Sequence, residues 1–312
     1  MSMHSRRDFL AQSAAAAGML TLGANGLLAA GSAEAPDMTI ARWAGAEQPD
    51  AAAVKAIATK LTEKAIEGLG GMGRFVKKGD VVWVKPNIGW DRTPEQAGCT
   101  NPQVVAALIR MCFDAGAKTV KVGDNPCDLA AKTYQTSGIA LVAEELGAKV
   151  VYLDRSRFKD AAIGGERIKS WPFYPEIIDC DLVINVPIVK HHVLAGATLC
   201  MKNYMGVIEK RNLFHQDIAT CVADVTRFMK PRLCVLDAVR VMKAHGPKGG
   251  NLADVELKTT VAAGVDIVAL DALGAELMGK SPTAYKSIVK GQEVGLGKID
   301  YHSLALREFK VS

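Results

Sequence analysis

The sequence predicts an α/β protein built on a mostly parallel, Rossmann-like sheet, with helices on both faces and an irregular insertion. Three observations lead there. Between residues 80 and 154, short valine-rich runs alternate with amphipathic runs of helical period, in the order strand, helix, strand, helix, strand. That alternation winds right-handedly into a parallel sheet covered by helices. The chain has 312 residues, 49% hydrophobic and 23% charged, enough for a large core. No repeat, low-complexity tract or clear linker divides it, so residues 36–312 read as a single α/β domain, with two closely packed lobes as the alternative.

Taken in order, "DAAAVKAIATKLTEKAIEGLGG" is an amphipathic helix ended by Gly68 to Gly71, and "DVVWVKPN" is an apolar strand stopped by Pro86. "TNPQVVAALIRMCFDAGA" follows as a helix with Thr100 or Asn101 at its cap and Gly116 near its end. "KTVKVGDN" is a strand, "AKTYQTSGIALVAEELGA" a helix and "KVVYLD" the next strand. "AIGGERIKSWPFYPEIIDC" reads as a hairpin and linking helix, the insertion, leading into the buried strand "DLVINV". A helix near "HQDIATCVADVTRFM", a strand "RLCVLDAVRV" and a glycine-rich loop "AHGPKGGN" come next. The last segment, "LKTTVAAGVDIVALDALGAELMG", is a strand running into a helix capped by Asp266.

The N-terminus, "SRRDFLAQSAAAAGMLTLGANGLLAAGSAEA", pairs Arg6 with Arg7 ahead of Phe9 and Leu10, then runs through a mild Ala/Gly/Leu segment to small residues. It resembles a twin-arginine export signal over residues 1–35, and implies a periplasmic protein exported folded. Its glycines and Asn25 make it a poor transmembrane span, so membrane attachment is expected only through an uncleaved signal. The net charge is +5, but Lys and Arg are scattered without runs or aromatic interleaving, which argues against nucleic acid as a partner. A protein partner is not identified. Seven cysteines form no C-x-x-C pair, so no zinc ribbon or ferredoxin-like site follows from spacing, and folding before export disfavours a disulfide framework.

Polar residues gather where the strands end, the rim at which α/β sheets usually bind ligands. Lys85 and Asn87 follow one strand, Asp124 and Asn125 another, Lys190, His191 and His192 a third, and Asp237 lies within the next. Period-two alternation sends Lys190 and His192 to one side and His191 to the other. Lys202 and Asn203 add a point charge and an amide. The catalytic candidates are Lys85, Lys190, Lys202 and Asn203, holding a small anionic molecule and orienting oxygen. Asn87, Asp124 and Asp237 are candidates for binding a cofactor. His192, with His215 from across the site, is a candidate metal pair; a cap or surface role for His215 is the alternative, and His245 reads as loop. Lysines crowded around an empty pocket should repel one another and lose basicity.

"VKPNIGW", "TNPQVVAALIRMCFDAGAKTVKVGDN", "CDLVINVPIVKHHVLAGATLCMKNYMG", "VLDAVRV" with "HGPKGGN", and "GVDIVALDALG" together resemble the successive motifs of the domain-of-unknown-function family 362, from about Val81 to Gly279. Members often carry a ferredoxin-type iron–sulfur domain, from which this chain departs in lacking cysteine clusters. A fainter resemblance links "IVKHHVLAG" to the nickel-pincer lactate racemase family. Only His192 with Ala195-Gly196, and then His215, match that pattern; the other pocket positions do not transfer. The resemblance implies a transition metal or metal-containing cofactor, whose identity stays open. Three readings result: an exported enzyme of unknown reaction acting on a small anion; a non-catalytic periplasmic binding or cofactor-maturation protein; and, least supported, an iron–sulfur electron-transfer protein.

Overall fold

The computed structural model describes residues 35–45 and 49–312, which lie in one compact unit, Ala35–Ser312. The export-signal segment read from Arg6 and Arg7 lies outside the described residues. The first half of the unit runs β1 (Met38–Trp43), α1 (Ala51–Gly68), β2 (Val81–Pro86), α2 (Pro102–Asp114), β3 (Thr119–Val122), α3 (Ala130–Thr136), α4 (Ile139–Glu145) and β4 (Lys149–Val150). A separate hairpin, β5 (Lys159–Ala162) and β6 (Ser170–Phe173), then α5 (Pro175–Ile178), forms the expected insertion. Next come β7 (Leu182–Val186), β8 (Ile188–His192), β9 (Gly196–Thr198), α6 (Cys200–Asn203) and α7 (Ile218–Met229). The chain closes with β10 (Leu233–Met242), β11 (Val255–Gly264), α8 (Ile267–Leu277), α9 (Lys286–Glu293) and β12 (Leu306–Val311).

The central sheet has the order β12-β1-β11-β10-β7-β2-β3-β4, with β8 and β9 continuing beside β10. It is mainly parallel, as expected. β11, antiparallel to both β10 and β1, and β9, antiparallel to β8, are the exceptions; each follows its partner strand in the chain through a loop without a crossover helix. Alternating side chains feed cores on both faces, which is why the strands read as near-continuous apolar runs. In β2, Val82 and Val84 share one core with Val104 and Leu108 of α2, while Trp83 belongs to the opposite core, its ring centroid 6.3 Å from that of Tyr174.

Local signals placed several ends correctly. Asn101 caps α2, accepting from the Gln103 N–H, and Asp266 caps α8, accepting from the Ala269 N–H at 2.8 Å. Three expectations needed correction. The helix expected over residues 131–148 is broken into α3 and α4, because Gly138 adopts φ +72° and interrupts the turn. The strand "KVVYLD" contributes only two ladder residues at the sheet edge. β1 and β12 were not foreseen; they pair with each other from opposite ends of the unit, so no local turn announces them.

Candidate functional site

β2, β3 and β7 run parallel, so their carboxyl ends point the same way, and the residues just past them converge with β8 and α6. They enclose a cavity of about 250 Å³. Lys85, Asn87, Asp124, Lys190, His192, Lys202 and Asn203 all line it. Residues separated by more than a hundred positions thus meet as the strand-end expectation required. His191 faces a different cavity on the other side of β8, in agreement with the alternation.

The Lys85 amine, fully buried at the end of β2, lies 2.7 Å from Asp124 Oδ1 and donates to Pro86 O and to Asn203 Oδ1. Burial lowers its pKa, against the opposing pull of Asp124. The second Asp124 oxygen accepts the Ile88 N–H at 2.7 Å. Gly206 packs directly on this pair: a Cβ there would stand 1.7 Å from Asp124 Oδ1 and 2.6 Å from Lys85 Nζ. Only glycine fits.

Asn203 proves to be a keystone rather than a group that could orient a reacting oxygen. Its Oδ1 accepts from Lys85 and from Asn87 Nδ2, and its Nδ2 donates to Asn185 Oδ1 and Lys85 O. Both acceptor and both donor positions are used by the protein. Asn87 passes the network on, because its Oδ1 accepts from Lys190, whose amine also donates to Gly98 O at 2.6 Å. Burial brings the Lys190 pKa down to about 8.

Lys202 differs from its neighbours. Among the described residues its amine makes no hydrogen bond or ion pair, although it lines the same cavity. Its pKa falls to about 7, first through burial and then through the positive charge of Lys190. The residue is half-buried in the cavity lining. The expected loss of lysine basicity is therefore present, with desolvation ahead of mutual repulsion as its cause.

Several residues of the cavity and its support escaped sequence reasoning. Arg211 lines the cavity and is anchored by the carbonyls of Asn125 and Pro126, at 2.6 and 2.9 Å. Trp90 and the exposed thiol of Cys127 also line it, and Thr198 adds a buried hydroxyl with no hydrogen-bond partner among the described residues. Asp271 of α8 accepts the backbone N–H groups of Cys200 and Met201, capping the short helix that carries Lys202 and Asn203. Burial raises its pKa to about 7. Proximity to "VKPN" could have suggested Trp90; Arg211 and Asp271 had no local signal.

Asp237 must be reassigned. It does not line the cavity; its buried carboxylate accepts the N–H groups of Asn101 and Val239, so it ties α2 to β10. Of the metal pair only His192 is described. His192 Nδ1 accepts the N–H groups of Leu194 and Ala195, both at 3.2 Å, an arrangement that assigns the ring proton to Nε2. The side chain of His215 lies outside the described residues. Among the described residues no group of three or more His, Cys, Asp or Glu side chains could hold a metal ion, and all seven cysteines are free thiols. The cavity lining has four cationic side chains, Lys85, Lys190, Lys202 and Arg211, against one carboxylate. The lining therefore carries more basic than acidic side chains.

Fold and site define an α/β protein with a cation-lined cavity at the carboxyl rim of a mainly parallel sheet. The chain belongs to the family described as Domain of unknown function (DUF362), which it matches over residues 82–276. It is 27% identical over 241 residues to a thylakoid-associated protein of Synechocystis sp., covering 74% of this chain and 73% of that one. Among solved structures it is similar to the lactate racemase apoprotein of Thermoanaerobacterium thermosaccharolyticum at 12% identity and a TM-score of 0.35. That match covers 69% of this chain and 54% of the racemase, so the chain spans about half its length.

Proposed function

We propose that the protein binds a small anion in the rim cavity, as the substrate site of an enzyme. One observation carries this reading: of four cationic groups around the cavity, Lys202 alone has no protein partner among the described residues. Lys85, Lys190 and Arg211 are held by carbonyl, amide or carboxylate oxygens and form a fixed positive wall. An anion entering the cavity supplies Lys202 with the countercharge it lacks. The Thr198 hydroxyl, also without a partner among the described residues, is a further contact for a ligand oxygen. With its depressed pKa, Lys202 is suited to take a proton from a bound acid near neutral pH.

The reading has a pH signature. Lys202, with a pKa of about 7, and Lys190, at about 8, hold their protons at low pH and release them as pH rises. Calorimetric titration with sulfate, phosphate and lactate should therefore show affinity highest near pH 6 and falling at least about tenfold by pH 9. Binding at pH 8 should draw protons from the buffer, since the bound anion raises both pKa values. Affinity unchanged from pH 6 to 9, or no binding of any of these anions, would overturn the proposal.

We also propose that the protein acts outside the cytoplasm. The paired Arg6 and Arg7 with the following Ala/Gly/Leu segment support this, and the name of the thylakoid-associated relative is compatible with it. No helix among the described residues is long and apolar enough to cross a membrane. Changing Arg6 and Arg7 together to lysine should trap the protein in the cytoplasm on cell fractionation. Unchanged distribution would count against the twin-arginine route.

A further inference from the structure

The hairpin of β8 and β9 is a wall between two cavities. His192, on one side, lines the cation cavity, while His191 and the turn residues Leu194, Ala195 and Gly196 line a second cavity of about 470 Å³. The second space is within the ordinary size range of small-molecule sites. Leu194, Ile218, Met278 and Tyr285 give it apolar walls, with Leu194 60% exposed. Lys243, Lys280 and Lys286 stand around those walls, and none of the described lining residues is acidic. Lys243 donates to Leu277 O and lies 3.9 Å from Glu256, a carboxylate that Lys258 holds more closely. Lys280 and Lys286 make no ion pair among the described residues. The His191 ring accepts the Gly246 N–H at Nδ1, which leaves its Nε2 proton as a donor.

Apolar walls with cations and no countercharge match one kind of ligand. We propose that this second cavity binds a small amphipathic anion, a free medium-chain carboxylate, with its hydrocarbon body against Leu194, Ile218, Met278 and Tyr285 and its head group among Lys243, Lys280 and Lys286. The hydrophobic surface covered supplies affinity and the lysines select the charged end. The site is separate from the rim cavity, where the lining is polar and the ligand compact.

Calorimetry on the full chain tests this with three probes: octanoate, 1-octanol, which has the same body without the charge, and acetate, which has the head without the body. Octanoate should bind one per chain and at least about tenfold more tightly than either of the others. Leu194→Asp and Lys286→Glu, both at exposed positions, should each weaken octanoate at least about fivefold, a cost of roughly 1 kcal/mol. Lys286→Glu should leave sulfate binding at the rim cavity unchanged, and Lys202→Met should leave octanoate binding unchanged. The proposal fails if octanoate does not bind, if octanol or acetate matches it, or if the two surface variants have no effect. It also fails if Lys202→Met abolishes octanoate binding, because the carboxylate would then occupy the other cavity.

Discussion

Lys202→Met is expected to weaken sulfate binding at pH 7 by at least about tenfold and, at the same time, to stabilise the empty protein. Both effects come from one amine that has no partner among the described residues. A hydrogen bond to a charged group contributes roughly 1.5–3 kcal/mol, so its loss costs about ten- to more than hundredfold in affinity. Stability moves the other way because the empty cavity gives the charge nothing to pair with. The Lys202 pKa is about 7 in the folded chain against a reference of 10.5. Below about pH 7 the amine is protonated in both folded and unfolded states, and the full penalty of desolvating the charge is present. Between about 7 and 10.5 the unfolded chain binds the proton and the folded one does not, so wild-type stability rises with pH in that window. Methionine removes this dependence. Urea denaturation should therefore show the variant more stable at pH 6.5, with the difference shrinking by pH 9.5. A variant less stable at pH 6.5, or one that binds sulfate as well as wild type, would mean that Lys202 has a structural partner and no ligand role.

The second large effect is expected from Asp124→Ala. The change leaves the Lys85 amine buried without its counter-ion and the Ile88 N–H without its acceptor. Breaking one side of a buried pair typically costs about 3–5 kcal/mol, which urea denaturation at pH 7 would read directly. The companion variant Lys85→Met with Asp124→Ala should recover part of the loss, since no buried charge remains, while still failing to bind the anion. Equal stability of Asp124→Ala and wild type would show that the pair does not hold the rim together. A double variant less stable than the single one would show that Lys85 is retained for its contacts to Pro86 and Asn203 more than for its charge.

Much of the fold was legible because it is written in short-range periodicity. Valine-rich runs bounded by glycine and proline located β2, β3 and β7, and the two-residue period of β8 separated His191 from His192 correctly. Asn101 and Asp266 were readable as caps because a cap is a relation between neighbours. The break between α3 and α4 was missed, although the cause, Gly138, was in view, because a single glycine is compatible with a continuous helix until its φ is known. β1 and β12 were missed because their stability lies in partners at the other end of the unit.

The residues of the site were legible in the sequence, whereas the hydrogen bonds that distinguish one from another were not. Lys85, Asn87, Asp124, Lys190, His192, Lys202 and Asn203 do share one cavity. Asp237, drawn from the same strand-end reasoning, faces the backbone of Asn101 and Val239 instead. Arg211 and Asp271 had no strand end beside them and could enter only through packing.

By itself, the sequence determined the α/β class, the succession of strands and helices, the family and the gathering of basic residues at one rim, since these follow from local period and chemical type. Tertiary structure alone decided which charges are paired and which is left over. Lys85 reaches Asp124 at 2.7 Å and Asn203 at 3.1 Å while Lys202 reaches neither, and that difference depends on atoms brought together by the burial of two cores. Hydrogen bonds and desolvation vary over ångströms, whereas residue order specifies only which groups are available to meet.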